Sequence, residues 1–217
     1  RCVSGKVAKQ QNTGSLHLPL NNCGVMALDY RGKKGIATSI GHAPVSALID
    51  PVAGSRNSIA EALTNIVFAP MTKNLKGVSL SANWMWPCRN KGEDARLFDA
   101  VTGISEFAIS LGINVPTGKD SLSMTQKYKD GSKVIAPGTV IISAVGECSD
   151  INQVVSPVLQ KIDNAPIIYI NLSQDTYKLG GSSFAQTLNK VGINTPTIKD
   201  SEFFKNGFNA IQNLIKS

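Results

Sequence analysis

The stretch DPVAGSRNSIAEALTNIVFAP, residues 50–70, carries the strongest helix signal in the chain. Asp50 can accept hydrogen bonds from the free N–H groups of a first helical turn, and Pro51 wastes no donor there. Apolar residues then recur at helical spacing, and Pro70 ends the pattern. The recurring positions are Ile59, Leu63, Ile66 and Val67. We therefore predict a helix that starts at Pro51 and buries one face.

Strand and helix patterns alternate on both sides of this segment. Strands are predicted over residues 1–8, 23–30, 35–40, 76–84, 122–128, 133–135, 139–147 and 167–172. A second helix is predicted from Gly92 to Leu111, with a buried stripe of Phe98, Val101, Ile104, Ala108 and Leu111. A helix from residue 182 to about Lys190 and a last one built on Phe204, Phe208, Ile211 and Leu214 complete the prediction. Residues 10–20 are predicted to form a loop.

Composition excludes several classes of protein. The 217 residues are 42% hydrophobic and 17% charged, which is typical of a folded domain. No apolar run has the length of a membrane span, so no membrane partner is expected. Four widely spaced cysteines argue against structural zinc and a disulfide framework, and favour a reducing, cytoplasmic location.

The net charge of +7 raises the question of nucleic-acid binding. The basic residues are scattered, and their densest groups lie beside glycines that favour hairpin tips. These groups are Arg31, Lys33 and Lys34, and Lys127, Lys129 and Lys133. No signature of a nucleic-acid recognition module accompanies them, so no nucleic-acid partner is expected.

Two polar groupings could bind a nucleotide. Glu61 and Asn65 lie four residues apart on the predicted helix, so both oxygens leave the same face. Such oxygens suit Mg²⁺, although a solvated polar helix surface has the same pattern. The segment PTGKDS, residues 116–121, offers backbone access at Gly118, a cation at Lys119 and a hydroxyl at Ser121. From spacing alone, a plain turn is the favoured interpretation of that segment.

Other potentially reactive residues have simpler explanations. Leu179-Gly-Gly-Ser182 precedes a predicted helix and could hold an anion or serve only as a flexible entry. Trp84 and Trp86 are predicted to pack in the interior. Cys88 lacks a neighbouring histidine, and neither His17 nor His42 has a nucleophile at a recognisable spacing. A thiol or serine hydrolase is therefore not expected.

Four stretches together resemble one enzyme family. They are RCVSGKVAKQQ, IGHAPVSALIDPVAGSRNSIAEALTN, LSANWMWPCRNKGEDARLFDAV and VPTGKDSLSM, and they begin at residues 1, 40, 80 and 115. In this order they resemble the large, single-chain phosphoribosylformylglycinamidine synthases. The resemblance implies an ATP-dependent amidation of formylglycinamide ribonucleotide, with glutamine as the amide donor, in purine biosynthesis.

The resemblance also implies a fold. We expect an α+β chain that starts with an aminoimidazole ribonucleotide synthetase-like N-terminal domain, which supplies half of a shared β-barrel flanked by helices. That domain would span residues 1–150. A linker at 151–164, where the composition shifts, would lead to a truncated start of the α/β C-terminal domain at 165–217. The chain would thus be a fragment of a longer polypeptide, the rest of which is its first expected partner.

Site residues follow from the same resemblance. Glu61 and Asn65 match a helix pair that binds Mg²⁺ beside a tightly held nucleotide, ATP or ADP. The family's aspartate ligand falls on Asn22 here, which keeps a carbonyl oxygen but lacks the charge. Gly118 and Lys119 match residues near the reacting ATP, and Ser121 matches a residue that contacts the substrate. No cysteine here matches the family's glutaminase nucleophile.

Two further expectations concern the chain by itself. We expect it to be inactive alone, and the alternative function is a structural or nucleotide-binding half-barrel with no catalytic role of its own. An excised barrel half should expose an apolar sheet face, so self-association, such as a homodimer, is expected.

Overall fold

A computed structural model describes residues 7–217, which contain one main sheet, a separate hairpin and five α-helices. The strands are β1 (Val7–Lys9), β2 (Cys23–Ala27), β3 (Gly35–His42), β4 (Val78–Met85), β5 (Asn114–Ser121), β6 (Thr125–Lys127), β7 (Lys133–Ile135) and β8 (Thr139–Cys148). The helices are α1 (Pro44–Ile49), α2 (Pro51–Ile66), α3 (Glu93–Leu111), α4 (Ser183–Thr187) and α5 (Ser201–Lys216). Short 3₁₀ turns cover Asn74–Gly77 and Ile151–Gln153.

The main sheet has six strands in the order β1-β2-β3-β8-β4-β5. Its neighbouring strands are antiparallel, except that β4 and β5 are parallel. Parallel neighbours need a crossover connection, and α3 provides it. The remaining two strands, β6 and β7, form a hairpin. Mixed pairing with segregated helices is an α+β arrangement, as predicted.

Within residues 7–217, helices cover one face of this sheet and leave the other uncovered. Along β3, every second residue is buried, and these residues are Gly35, Ala37, Ser39 and Gly41. The buried side forms one core with the apolar faces of α2 and α3. The opposite side, which we call the open face, carries the exposed β3 residues Ile36, Thr38, Ile40 and His42 and their cross-strand neighbours.

The helix predicted from residues 50–70 is confirmed as α2. Asp50 caps it by accepting a hydrogen bond from the Ala53 N–H at 2.9 Å, and Pro51 is its first residue. Ile59, Leu63 and Ile66 are fully buried, as their spacing predicts. The helix ends at Ile66, four residues before Pro70. The short helix α1 ahead of it was not predicted.

Close backbone packing seats α2 on β3. A Cβ atom on Gly41 would lie 2.2 Å from the Ser58 carbonyl oxygen and 2.3 Å from the Ala62 nitrogen. On the same buried face, the Ser39 hydroxyl donates to the Ala62 carbonyl oxygen at 2.6 Å. Only glycine permits this approach, so the identity of residue 41 fixes the distance between helix and sheet.

The segment PTGKDS at 116–121 is not a turn but most of strand β5. It pairs in parallel with β4, with Thr117 opposite Ser81 and Lys119 opposite Asn83. Because β5 is the last strand of the sheet, Pro116 can occupy it without removing a hydrogen bond from a central ladder. Turn-forming residues therefore gave the wrong prediction here.

The predicted buried stripe of α3 is partly wrong. Phe98 is 72% exposed and Val101 is 41% exposed. The residues buried on this helix are Ala100, Gly103, Ile104, Phe107, Ala108 and Leu111. A Cβ on Gly103 would lie 2.9 Å from a Val52 methyl group, so α3 turns its small residues towards α2 to pack closely.

The predicted strand at 167–172 is also wrong, since these residues adopt no regular structure. Ile167 and Ile168 are 92% and 76% exposed. An extended apolar segment becomes a strand only when a neighbour satisfies its backbone, and none of the residues from 7 to 217 pairs with it. Likewise, α4 ends at Thr187 rather than near Lys190. Of the first predicted strand, Val7–Lys9 is confirmed and residues 1–6 lie outside the described residues.

The last helix, α5, packs into the same core as α2 and α3. The Phe204 and Phe107 rings meet edge to face, with centroids 6.0 Å apart. Gln212 is fully buried; its amide donates to the carbonyl oxygens of Val67 and Ala69, and its side-chain oxygen accepts from the Met71 N–H. The predicted division at 151–164 stays a prediction. No helix in the described part of the chain has the length and apolar character needed to cross a bilayer.

Asp175 holds the irregular segment that precedes α5. Its carboxylate accepts from the Thr197 N–H and from the Lys178 ammonium, both at 3.1 Å, and from the Thr176 N–H at 2.8 Å. Burial by itself would raise the pKa of Asp175, but these donors outweigh it and lower the pKa to about 2. The ionised form therefore stabilises the fold.

We predict that Gly41→Ala destabilises the chain by about 1–3 kcal/mol, because the new methyl group forces α2 away from β3. Urea unfolding monitored by circular dichroism measures the change. Gly24→Ala is the matched control, since its Cβ would lie 3.6 Å from the Thr38 hydroxyl, an ordinary contact. Equal stabilities for the two variants would show that the close approach is unimportant.

We predict that Asp175→Asn lowers the free energy of unfolding at pH 7 and that the deficit shrinks on acidification. The folded-state pKa of about 2 lies below the unfolded value of about 3.9, so the contribution is complete above about pH 5 and is lost progressively as the pH falls towards 2. Unfolding curves between pH 7 and pH 3 test this, with the exposed Asp163→Asn as control. A deficit that does not change with pH would contradict it.

Candidate functional site

One end of β3 extends past its neighbour on one side. The pairing with β2 stops at Ser39, opposite Cys23, while β8 continues to pair with β3 as far as His42. Ile40 and His42 therefore have backbone groups that face away from β8 without a strand to bond them. Unpaired backbone groups in a sheet are costly unless other donors and acceptors replace the missing strand.

Helix α2 supplies the replacements through Glu61 and Asn65. The His42 N–H donates to Glu61 Oε2 at 2.6 Å, and Asn65 Nδ2 donates to the Ile40 carbonyl oxygen at 2.9 Å. Residues 61 and 65 are about one helical turn apart, roughly 6 Å, which is close to the separation of residues 40 and 42 along β3. Glu61 Oε1 and Asn65 Oδ1 bond to none of the described residues and remain able to accept another ligand.

These two side chains line a cleft of about 760 Å³ that is bordered by the open face. Asn22, at the start of β2, lines the same cleft. The remaining lining residues include hydroxyl side chains from four strands, namely Thr38, Ser79, Ser81, Thr117 and Ser143. The structure thus places Glu61, Asn65 and Asn22 in the lining of one cleft.

The predicted residues of β5 lie on the far side of the open face. Strand register places His42, Ile141, Asn83 and Lys119 in one row across four strands. Three strand spacings of about 4.8 Å separate the ends of the row by roughly 14 Å. Lys119 donates to the Ser121 hydroxyl at 3.0 Å, and neither residue lines the cleft.

Gly118 has a packing role that the sequence did not predict. Residue 118 faces the opposite side of β5 from Thr117 and Lys119. A Cβ atom on Gly118 would lie 3.2 Å from the Trp84 ring. Trp84 itself packs against the core, and Trp86 is fully buried, which confirms both tryptophans as packing residues. The Trp84 ring therefore constrains residue 118 whether or not a nucleotide approaches it.

A smaller recess of about 260 Å³ adjoins the cleft and shares Asn21, Asn22 and Asn65 with it. Lys9 lines the recess and donates to the Val155 carbonyl oxygen at 2.6 Å. Burial lowers the pKa of this lysine. Asn21 Oδ1 is buried with no hydrogen-bond partner in the described structure.

Several cleft residues were missed at the level of sequence. Asn21 lies in no quoted motif, His42 was not singled out as a ligand-binding residue, and the hydroxyl residues are separated by long stretches of chain. A weak signal was available, because Ser79 and Ser81 alternate with buried residues along β4 and so share one face. Which other strands contribute to that face depends on sheet order.

In the described part of the chain, reactive side chains are not assembled into a nucleophilic centre. Burial, together with the nearby carboxylates of Asp94, Glu93 and Asp120, raises the pKa of the Cys88 thiol. Cys23 and Cys148 are buried, with pKa values raised to about 11. Across residues 7–217, no group of three or more His, Cys, Asp or Glu side chains is placed to hold a metal ion.

Comparison with known families settles what kind of domain this is. A family model described as the FGAR-AT PurM_N-like domain matches residues 1–147. The chain belongs to this family. The six-stranded sheet with helices on one face is therefore the PurM_N-like fold, and the fold predicted from the resemblance is confirmed.

Relatives of the PurM_N-like chain confirm the resemblance to phosphoribosylformylglycinamidine synthases. It is 40% identical over 216 residues to a probable phosphoribosylformylglycinamidine synthase, chloroplastic/mitochondrial, of Arabidopsis thaliana, covering 99% of this chain and 15% of the relative. It is 39% identical over 218 residues to the phosphoribosylformylglycinamidine synthase of Homo sapiens, covering 100% and 16%. The chain thus spans only about a sixth of the relatives it matches.

Solved structures show the same fold at low identity. T. maritima PurL complexed with ATP matches with a TM-score of 0.53 at 16% identity, covering 65% of this chain and 22% of that one. T. maritima PurL complexed with FGAR matches with a TM-score of 0.51 at 14% identity, covering 64% and 22%.

Proposed function

We propose that this chain is a structural and nucleotide-binding part of a phosphoribosylformylglycinamidine synthase. The whole enzyme would amidate formylglycinamide ribonucleotide with ATP and glutamine. The observation that carries the proposal is the convergence of Glu61, Asn65 and Asn22 on one cleft within a PurM_N-like fold. Since the chain spans about a sixth of its relatives, we propose that it does not catalyse the reaction alone.

The cleft's donor chemistry fits a magnesium–nucleotide complex. Glu61 Oε1 and Asn65 Oδ1 are free to accept, and Asn22 offers a further carbonyl oxygen. Mg²⁺ takes oxygen ligands, retains waters and shares phosphate oxygens, so few protein ligands suffice. Mg²⁺ would supply neutralisation of phosphate charge. One carboxylate makes this a weak site, because Asn22 contributes no charge.

Residues of β5 are proposed to serve the reacting substrates. Lys119 would neutralise phosphate charge near ATP, and Ser121 would bond the ribonucleotide substrate. The exposure of Lys119 on the open face and its hydrogen bond to the half-buried Ser121 support this assignment. Gly118 would leave the strand backbone accessible to ATP.

Amide activation explains why such groups suffice. Transfer of the terminal phosphoryl group of ATP to the amide oxygen, with release of ADP and loss of the amide N–H proton, makes an iminophosphate. Attack by ammonia at the amide carbon then expels inorganic phosphate. The protein's contribution is to position the reactants and neutralise charge, which hydroxyl, amide and lysine groups can do. Glutamine hydrolysis needs a nucleophile that none of the described residues supplies, so we propose that another domain releases the ammonia.

The alternative proposal is a half-barrel that holds a nucleotide only for stability. The hydrogen bonds that Glu61 and Asn65 make to β3 favour this alternative, because a ligand bound to the same two side chains would strengthen the contact between α2 and β3. The two proposals share the nucleotide site and differ in the role of Lys119 and Ser121.

The cellular location is proposed from the cysteines. The free thiols of Cys23, Cys88 and Cys148 support a reducing compartment, and we propose the cytoplasm.

We predict that Mg²⁺ with ADP raises the melting temperature of the chain at millimolar concentration, since a ligand that binds only the folded state stabilises it. Asn22→Asp should enlarge the shift, because it adds a charged oxygen ligand to the cleft. Differential scanning fluorimetry measures both effects. Asn206→Asp, which adds the same charge on the exposed side of α5, is the matched control and should leave the shift unchanged.

An absent shift in the wild-type chain and in Asn22→Asp would overturn the proposed nucleotide site. Chelation by EDTA should abolish the shift if the cation is required. An identical increase with Asn206→Asp would show a general charge effect instead of a ligand at the cleft.

We predict that the isolated chain self-associates through its open face. Met26, Ile36, Ile40 and Val145 are each 40–55% exposed there, which leaves apolar area that the related half would cover in the long polypeptide. Sedimentation velocity should detect a dimer, and Ile40→Asp should weaken it. A monomer at high concentration would contradict the shared-barrel proposal.

A further inference from the structure

In both Glu61 and Asn65, one polar atom of the side chain bonds the end of β3 and the other polar atom does not. Glu61 Oε2 and Asn65 Nδ2 are committed to backbone groups of His42 and Ile40. The other polar atom of each side chain, Oε1 or Oδ1, has no partner among the described residues. Each residue therefore makes one structural hydrogen bond and keeps one oxygen atom that can accept a ligand.

For Asn65 this division decides which atom faces a ligand. A carboxamide has one donor end and one acceptor end, and only the donor can bond the Ile40 carbonyl oxygen. While that bond holds, the amide nitrogen is occupied and the acceptor Oδ1 remains for a cation. A free asparagine would present either end.

For Glu61 the bond limits rotation of the carboxylate. The His42 N–H contact at 2.6 Å fixes one oxygen, and the helix backbone fixes the other end of the side chain. The helix itself is immobilised on β3 by the Gly41 contact and by the Ser39 hydroxyl bond to Ala62. The acceptors are thus held by a rigid scaffold.

We propose that Ile40 and His42 are positioning residues for a divalent cation, because their backbone groups orient Asn65 and Glu61 at the end of β3. This inference rests on the proposed function for the presence of the cation. It adds that the backbone of β3 holds the two ligand side chains in place. It implies that a stronger ligand at position 65 weakens the site if it breaks the bond to β3.

Asn65→Asp separates the two roles. Aspartate adds a negative charge, so a simple ligand would bind cation more tightly. It has no donor for the Ile40 carbonyl oxygen and repels it, so a positioned ligand would bind more weakly. We expect Mn²⁺ affinity, measured by electron paramagnetic resonance on the folded chain, to fall by about tenfold or more.

Glu61→Gln and Glu61→Ala test the second bond. Glutamine keeps an acceptor for the His42 N–H but loses the charge, whereas alanine loses both. Hydrogen exchange in the metal-free chain should show the His42 amide protected in wild type and Glu61→Gln, and unprotected in Glu61→Ala. Mn²⁺ affinity should fall in both variants, so protection and affinity separate only in Glu61→Gln.

Tighter Mn²⁺ binding by Asn65→Asp would overturn the inference, as would an unprotected His42 amide in a wild-type chain that binds Mn²⁺. A wild-type chain that binds no Mn²⁺ at millimolar concentration, with His42 protected, would instead overturn the proposed cation site. That result would leave the two bonds purely structural and the inference wrong for that separate reason.

Discussion

The approach of α2 to β3 at Gly41 is the constraint on which the rest of the structure depends. A side chain at that position would collide with the helix backbone at Ser58 and Ala62. Because the two elements touch backbone to backbone, Glu61 and Asn65 can reach the edge of the sheet and bond β3 directly. The contact therefore sets both the thickness of the core and the position of the cleft.

The same arrangement separates the two faces of the sheet by task. Helices α2, α3 and α5 bury one face, and the other mixes hydroxyl and apolar side chains within the same rows, such as Ile40 beside Ser143 and Thr38 beside Val145. A face of this kind is too apolar for solvent alone and too polar for a closed core. It suits an enclosed, partly polar space completed by another part of a longer polypeptide, as proposed for the barrel.

A feature could be predicted from the sequence when residues close together in the chain specify it. The start of α2 was predictable because Asp50 and Pro51 act within one turn of the chain. The 116–121 segment was not, because its glycine and proline favour a turn until an edge position beside β4 accommodates them. Residues 167–172 failed for the opposite reason: their composition favours a strand, but no described neighbour pairs with them. The candidate site residues were proposed from the resemblance, since the spacing of Glu61 and Asn65 alone favoured a solvated polar helix surface.

By itself, the sequence determined the helix that carries Glu61 and Asn65, their shared face and the types of ligand they can hold, since these depend on helical periodicity and side-chain chemistry. Tertiary structure alone decided that β2 stops short of the end of β3 and that the two side chains replace it. It also decided that Lys119 lies three strands away from His42, roughly 14 Å across the sheet. Strand order and register join residues distant in the chain, so neither could be read from local patterns.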